Sequence, residues 1–253
     1  MPKIGHEFYE EDRITISNGG PGLPFVIAEV INHDWCRVDN RWCKIEDLIP
    51  LEEAPAYYTE KIRLGGDSTR LLHLRGAAWE YRGEYKLAVF DFTDGLKLEP
   101  ANEGWLTSRA TAYYRLGDTD KAIRDIRKAI ELKPDNWHPQ VMLAWLLSTA
   151  PDERFRDSTE ALAIVDKLIA KDGKFGQLKP VMAAVYANAS RFDEAAAYHE
   201  ESVTVLQKTE KSGWREQWRQ ERLRFHRARL ELYRAHKPFR DTSRSLDWFA
   251  LDK

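Results

Sequence analysis

Residues 68–100 read STRLLHLRGAAWEYRGEYKLAVFDFTDGLKLEP, and residues 102–134 read NEGWLTSRATAYYRLGDTDKAIRDIRKAIELKP. Three marker residues recur between these stretches at an interval of 34: Gly83 with Gly117, Ala88 with Ala122 and Pro100 with Pro134. Internal periods of this length indicate stacked pairs of helices. The Gly lets one helix turn into its partner. The Pro begins the next unit, because Pro is tolerated at a helix N-terminus but not inside a helix.

Small and bulky residues occupy fixed places within each unit. The first unit carries Leu72, Gly76, Trp79, Gly83, Tyr85, Ala88, Phe92, Leu96 and Pro100. The second carries Leu106, Ala110, Tyr113, Gly117, Ala122, Ile126, Ala129 and Pro134. Small residues fall where the helices of a hairpin must touch, and bulky ones where the next hairpin docks. This pattern closely resembles the tetratricopeptide repeat, which implies an α-solenoid with a right-handed superhelix that binds other proteins or peptides.

Two further units are predicted, so that residues 68–210 hold about four. The third begins after Pro134, lacks the turn Gly and carries five extra residues before its second helix resumes at Glu160. We interpret the acidic residues of this insertion as a charged loop cap: Asp152, Glu153 and Asp157. The fourth unit has Ser190 where the turn Gly would lie.

Residues 1–50 are predicted to form a small β module. Asp39-Asn40 separates two apolar runs and tolerates positive φ, which predicts a two-residue hairpin. Its register pairs Val38 with Arg41, Arg37 with Trp42 and Cys36 with Cys43. We expect the two cysteines to be thiols, with a disulfide as the open alternative. A zinc site is not expected, since no His lies at ligand spacing.

The module resembles a Src-homology-3-like (SH3-like) small β-barrel of the bacterial type through Asp34, Trp35, Val38, Trp42, Asp47, Leu48 and Ile49. The resemblance implies that Trp35 and Trp42 lie near a ligand groove; the alternative is that they cover the barrel against the first helices. The predicted fold class is α+β, an SH3-like barrel followed by an α-solenoid. A connecting helix within residues 51–67 joins the two. AWLLSTAPDERFRDSTEAL and LELYRAHKPFRD also resemble bacterial proteins that join these modules.

Composition limits the partners that the chain can have. A formal net charge of −2 over 253 residues argues against a protein generally coated by nucleic acid. No run approaches the roughly 18 apolar residues of a membrane span, so no membrane partner is predicted. A cytoplasmic location is the default expectation, with a leader lost by trimming as the open alternative.

The repeat resemblance also assigns a peptide-binding groove. Family positions that face the groove are held here by His73, Tyr81, Thr111, Tyr114, Arg115, His138, Met142 and Trp145, with Ala77 and Ser108 beside them. Relatives that hold a peptide's terminal carboxylate use Lys and Asn at matching positions. This chain lacks them, so chaperone-tail binding is not predicted. The alternative is that several of these residues pack against the chain's own C-terminal helix.

Residues 211–253 are predicted to form a basic C-terminal capping helix and tail. They hold 12 Lys and Arg against 6 Asp and Glu, whereas the remainder holds 27 against 35. One stripe is predicted to pack on the last repeat: Trp214, Trp218, Phe225 and Leu232. The alternative function is binding of nucleic acid or another anion by Arg215, Arg219, Arg222 and Arg227.

Catalytic motifs are missing from the sequence. There is no HExxH, no Gly-rich phosphate loop and no Gly-x-Ser-x-Gly elbow. We therefore predict a non-enzymatic scaffold without a cofactor or metal, whose partner is a protein or peptide. The sequence does not predict the oligomeric state.

Overall fold

The computed structural model describes the backbone of residues 14–16, 27–30, 35–38, 41–44, 48–172, 178–208 and 214–243. Side chains are described for residue 49 and for residues 51–170, 178–208, 220 and 222–243. The chain divides into two compact units, Met1–Pro100 and Ala101–Lys253.

Five short strands precede the helices of the Met1–Pro100 unit. They are β1 (Ile14–Ile16), β2 (Ile27–Val30), β3 (Trp35–Val38), β4 (Arg41–Lys44) and β5 (Leu48–Pro50). Strands β2, β3 and β4 form an antiparallel sheet, and β1 pairs with β5 in parallel. The β3–β4 hairpin has the predicted register, with Cys36 opposite Cys43. Between the described strands, no backbone pairing closes the two sheets into a barrel, so the SH3-like barrel is not supported.

Three helices complete this unit: α1 (Ala54–Arg63), α2 (Ser68–Tyr81) and α3 (Tyr85–Leu98). Helix α1 packs on α2, and α2 packs on α3. Pro55 lies in the first turn of α1, where Pro costs no helical hydrogen bond, and Gly65 follows its end with a φ of 85°. A small core beneath α1 contains Ile49, Tyr58 and Ala78. The helix predicted between residues 51 and 67 is therefore present.

The α2–α3 hairpin closes around one glycine. A Cβ atom built on Gly76 would lie 2.5 Å from Cε1 of Phe92, a buried ring on α3. This contact confirms that a small residue lies where the two helices touch. It also explains why the first unit carries Gly here although Gly weakens a helix interior.

We expect Gly76→Ala to lower the free energy of unfolding by about 1–2 kcal/mol, because the clash outweighs the gain in helix propensity. Urea denaturation followed by circular dichroism measures this. In the Gly76→Ala/Phe92→Leu variant the smaller side chain relieves the overlap, so the double loss should be smaller than the sum of the single losses. Strictly additive losses would contradict the contact.

The Ala101–Lys253 unit consists of helices. They are α4 (Glu103–Leu116), α5 (Thr119–Leu132), α6 (Trp137–Thr149), α7 (Ser158–Asp172), α8 (Lys179–Asn188), α9 (Phe192–Lys208) and α10 (Trp214–Arg234). A 3-10 turn, Glu153–Phe155, lies between α6 and α7. Helices pair as α4–α5, α6–α7 and α8–α9, and α10 packs on α9. With α2–α3, these are the four hairpins that the repeat predicts.

The hairpins begin and end as the sequence indicates. Asn102 and Asn136 cap α4 and α6, each accepting a backbone N–H of the following helix with its side-chain oxygen. Gly117 turns α4 into α5 with a φ of 91°. At the corresponding place between α8 and α9, Ser190 takes the same left-handed conformation with a φ of 61°.

Ser190→Gly is expected to stabilise the protein by about 0.5–1 kcal/mol. A residue with a Cβ atom pays a steric penalty at positive φ, which glycine avoids, although glycine loses more freedom on folding. Thermal denaturation of the two proteins measures the difference. Ser190→Ala keeps the Cβ atom and provides the control, which should not be stabilised. If both variants have equal stability, the left-handed turn is not what limits this hairpin.

The insertion of the third unit is a capped loop, as predicted. Asp152 caps the 3-10 turn and pairs with the side chain of Arg154. Oδ1 of Asp157 accepts the backbone N–H of Glu160 at 2.9 Å, which caps α7. The Asp157 N–H in turn donates to the carbonyl of Leu147. These contacts account for Asp152 and Asp157 as structural groups, and Glu153 pairs with Arg156 at 3.5 Å.

One ion pair recurs at the 34-residue interval. Nε and Nη2 of Arg75 donate to Asp91 at 2.9 and 2.6 Å, joining α2 to α3. Nε and Nη2 of Arg109 donate to Asp125 at 2.7 and 2.8 Å, joining α4 to α5. Burial raises the pKa of the Asp91 carboxyl, and the hydrogen bonds from Arg75 oppose that rise.

Candidate functional site

Half-buried side chains of α4 and α6 define a partly exposed face, which we call the α4–α6 face. It comprises Ser108, Thr111 and Arg115 on α4 and His138 on α6, all half-buried. The α4 members follow a spacing of three and four residues and therefore share one side of that helix. Thr111 ties the two helices together, since its Oγ1 lies 3.8 Å from Sδ of Met142. All four were predicted as groove residues or their neighbours.

Three other predicted groove residues are not open to solvent. Tyr114, Met142 and Trp145 are fully buried, so the expectation that they line an open groove is corrected. Tyr114 and Trp145 are covered by the chain itself, in residues 237–243, which we call the C-terminal segment. The alternative given by the sequence was that several of these residues pack against the chain's own C-terminal helix. The cover observed here comes from that helix and from the segment that follows it.

Asp241 fixes the C-terminal segment to α4 and α6. Its Oδ2 accepts hydrogen bonds from the Tyr114 hydroxyl at 3.1 Å and from Nε1 of Trp145 at 3.3 Å. Its Oδ1 accepts from Oγ of Ser243 at 3.0 Å. The Asp241 backbone N–H donates to the carbonyl of Thr149 at 2.9 Å. One buried carboxylate thus joins both helices of the site.

Phe239 provides the apolar contact of the segment. Its ring lies 5.9 Å from the Trp145 ring, and the Arg229 guanidinium lies 4.2 Å from the Phe239 ring centroid. The same guanidinium lies 5.3 Å from the Trp145 ring. Arg240 adds a hydrogen bond to the carbonyl of Ser148 at 3.1 Å. The pocket therefore combines an aromatic wall, a cation over that wall and donors for a carboxylate.

The end of α10 directs the chain back toward this pocket. His236 has a φ of 54°, and the N–H of Lys237 donates to the carbonyl of Leu232 at 2.8 Å, which closes the helix end. The His236 ring stacks on Phe192 of α9 at 5.3 Å. The chain leaves α10 at this turn, and Asp241 reaches the last turn of α6.

Helix α10 buries a different face from the one predicted. The buried residues recur at helical spacing: Arg222, Leu223, His226, Arg229, Leu230 and Tyr233. Three of them are polar, namely Arg222, His226 and Arg229. Phe225 is 51% exposed, so its predicted packing is wrong, while Leu232 is half-buried. The side chains of Trp214 and Trp218 lie outside the described residues. Polar residues on the buried face made the hydrophobic pattern misleading.

Two of the arginines predicted to bind an anion, Arg222 and Arg227, differ in their exposure to solvent. Arg222 is only 5% exposed, so burial removes it from the predicted surface, whereas Arg227 is exposed. The side chains of Arg215 and Arg219 lie outside the described residues. Arg234 is paired with Glu231 and Glu200. The described part of α10 therefore presents no arginine cluster of the predicted composition.

Two buried histidines meet where α9 packs on α10. Nδ1 of His226 lies 3.3 Å from Nε2 of His199, and the His199 ring meets Tyr233 edge-on at 5.3 Å. Burial lowers the pKa of His199 to about 3, assisted by the positive charge of Arg229. Burial also lowers the pKa of His226 to about 2, assisted by His199, Arg229 and Arg222. The pair is therefore neutral and forms part of the core.

The remaining predicted site residues belong to the Met1–Pro100 unit. His73 and Tyr81 lie on α2 and are exposed, and the His73 ring centroid is 6.0 Å from that of Phe92. Trp35 lies on β3 and Trp42 on β4, but their side chains lie outside the described residues.

The described residues hold neither a metal-site cluster nor a membrane-spanning helix. No cluster of three or more His, Cys, Asp or Glu side chains there has the arrangement of a metal site. Among the helices in that same part of the chain, none combines the length and apolar character needed to cross a bilayer.

Comparison with known proteins identifies the class to which this architecture belongs. Residues 105–136 match the sequence model of the tetratricopeptide repeat. A solved tetratricopeptide repeat protein from Parabacteroides merdae superposes with a TM-score of 0.54 at 18% identity, covering 74% of this chain and 70% of that one. The chain therefore carries a tetratricopeptide repeat within the fold of tetratricopeptide repeat proteins.

Curated relatives share parts of the sequence. Hsp70-Hsp90 organizing protein 2 of Arabidopsis thaliana is 38% identical over 61 residues, which are 24% of this chain and 11% of that protein. Tetratricopeptide repeat protein 34 of Homo sapiens is 24% identical over 174 residues, which are 60% of this chain and 31% of that protein. The chain thus spans less than a third of the length of either relative.

Proposed function

We propose that this protein is a non-enzymatic interaction scaffold that binds an extended protein or peptide segment on its α4–α6 face. Helical hairpins of this kind present the first helix of each pair to a partner. Here α4 and α6 are those helices, and they share the contact between Thr111 and Met142.

A single observation carries this proposal: the α4–α6 face lies beside a pocket that already holds a stretch of polypeptide outside the helices. The C-terminal segment has neither helical nor strand structure, and α4 and α6 hold it through a backbone hydrogen bond, a buried carboxylate and an aromatic ring. Such contacts are those by which folded domains recognise peptides. The half-buried residues beside the pocket offer further surface of the same kind.

Selection from a displayed peptide library on the full-length protein, followed by anisotropy titration, tests the proposal. We expect Thr111→Glu to weaken selected peptides by about 10-fold, since one or two contacts are worth about that factor. Thr204→Glu on α9 is the matched control, because both threonines donate to the carbonyl four residues earlier. No selected peptide, or equal affinity in the two variants, would contradict binding at this face.

A further inference from the structure

The pocket beyond the α4–α6 face makes distinct contacts with particular side chains of the segment that fills it. Tyr114 and Trp145 aim two neutral donors at one oxygen of Asp241. Two residues earlier, the Phe239 ring contacts both the Arg229 guanidinium and the Trp145 ring, which also lie 5.3 Å from each other. The carbonyl of Thr149 accepts the N–H of the acidic residue itself. An aromatic ring, a carboxylate two positions later and the backbone N–H of that acidic residue are thus recognised together.

The segment is anchored at few points. Asp241 is its only fully buried residue; Pro238, Phe239 and Arg240 are half-buried, and Lys237, Thr242 and Ser243 are exposed. It follows the last turn of α10, to which it is bonded by the Lys237 N–H at the carbonyl of Leu232. A stretch with few buried residues can open without global unfolding.

We propose that this pocket is a binding site for a partner segment that carries an aromatic residue two positions before an aspartate. The chain's own residues 237–243 occupy the pocket in cis and compete with that partner. The inference rests on the proposed function, because it names the partner chemistry for one end of the same groove.

Competition in cis has a measurable consequence. A partner binds only the fraction of molecules whose pocket is vacant, so its apparent affinity falls by that fraction. Substitutions that weaken the C-terminal segment without altering Tyr114, Trp145 or Arg229 should therefore tighten binding in trans. Substitutions of exposed residues in the same segment should not.

The probe is a fluorescent peptide of residues 237–243, KPFRDTS, blocked at its C-terminus and titrated against full-length proteins. We expect Phe239→Ala/Asp241→Ala to bind this peptide at least about 10-fold more tightly than the unsubstituted protein does. Thr242→Ala is the matched control and should resemble the unsubstituted protein. A peptide with Ala in place of the aspartate should lose the gain. Equal affinity for all three proteins, or no binding to the vacated pocket, would overturn the proposal.

Hydrogen exchange of the unsubstituted protein keeps the test decisive if the double variant fails to fold. The Asp241 amide should exchange about 100-fold faster than the Trp145 amide in α6, because the segment opens by itself. Exchange of both amides at one rate would mean that the segment is permanent core, and would overturn the proposal. Selected peptides that Thr111→Glu weakens could be found together with that result. The proposed function would then stand, and only the competition in cis would be rejected.

Discussion

Acidification from pH 7 to pH 5 is expected to lower the free energy of unfolding by about 4 kcal/mol through His199 and His226 alone. Both rings have folded-state pKa values far below the ordinary 6.5, at about 3 and about 2. The unfolded chain therefore takes up protons first as the pH falls below 6.5. Each ring then contributes a loss of about 1.4 kcal/mol per pH unit.

The sign of this effect is fixed by the burial of the two rings. Their contribution is fully present above pH 6.5 and is lost progressively as the pH falls toward 3. The positive charges of Arg222 and Arg229 on α10 oppose protonation further. Tyr233, which packs against His199, is buried and offers no negative charge at these pH values, since burial raises the pKa of its hydroxyl.

Urea denaturation at pH 7, 6 and 5 measures the loss, and His199→Leu/His226→Leu isolates it. Carboxylates contribute to acid sensitivity in both proteins, so the difference between the two pH profiles reports the rings. We expect the variant to be less pH-sensitive by about 4 kcal/mol over this range. Imidazole NMR signals that remain those of neutral rings at pH 5 provide an independent check. Identical pH profiles would show that the rings are solvated.

Asp91→Ala is expected to cost about 3–5 kcal/mol, because it leaves the Arg75 guanidinium without its buried carboxylate partner. The Asp91 side chain is 2% exposed and accepts two hydrogen bonds from Arg75. Asp94→Ala on the same helix is the matched control. Asp94 forms a surface pair with Lys97, so its loss should cost less than about 1 kcal/mol.

The third hairpin indicates which residues could replace the Arg75–Asp91 pair without the loss of stability expected for Asp91→Ala. With the interval of 34 residues and the five-residue insertion, the positions of Arg75 and Asp91 correspond to Leu143 and Ile164. Leu143 belongs to the apolar core of its unit, and Ile164 packs against that core. We therefore expect Arg75→Leu/Asp91→Ile to retain stability within about 1 kcal/mol of the unsubstituted protein. A double variant as unstable as Asp91→Ala would contradict this correspondence.

The helical part of the fold could be predicted because its determinants are local. Gly83 and Gly117 end helices at positive φ, and the interval of 34 residues between them sets the repeat. Even the exception at Ser190 was recognisable, since it occupies the place of the turn glycine and takes its left-handed conformation. The β3–β4 register was likewise set by a two-residue turn.

The site could be predicted only in part, because its cover comes from far along the chain. Thr111 and Tyr114 lie three residues apart on α4, yet one is half-buried and the other is fully buried beneath Asp241. Nothing periodic links Tyr114 to a residue 127 positions later. The signals that could have found the segment were Pro238 after a helix end and an aromatic residue close to an acidic one. Neither determines a contact by itself.

The buried face of α10 was missed for a related reason. Hydrophobic spacing favoured Phe225, but the buried side chains include Arg229, which lies over two aromatic rings, and His226, which meets another histidine. Arginine and histidine count as polar in a pattern. Each becomes compatible with burial only when its partner is known.

Hydrogen-exchange footprinting of the full-length protein with a selected peptide tests the central claim most directly. We expect the peptide to slow amide exchange mainly in α4 and α6, with little change in α9 and the described part of α10. We also expect Thr111→Glu to remove this protection and Thr204→Glu to retain it. Protection confined to α9 and α10, with α4 and α6 unchanged, would contradict the assignment of the α4–α6 face as the binding surface.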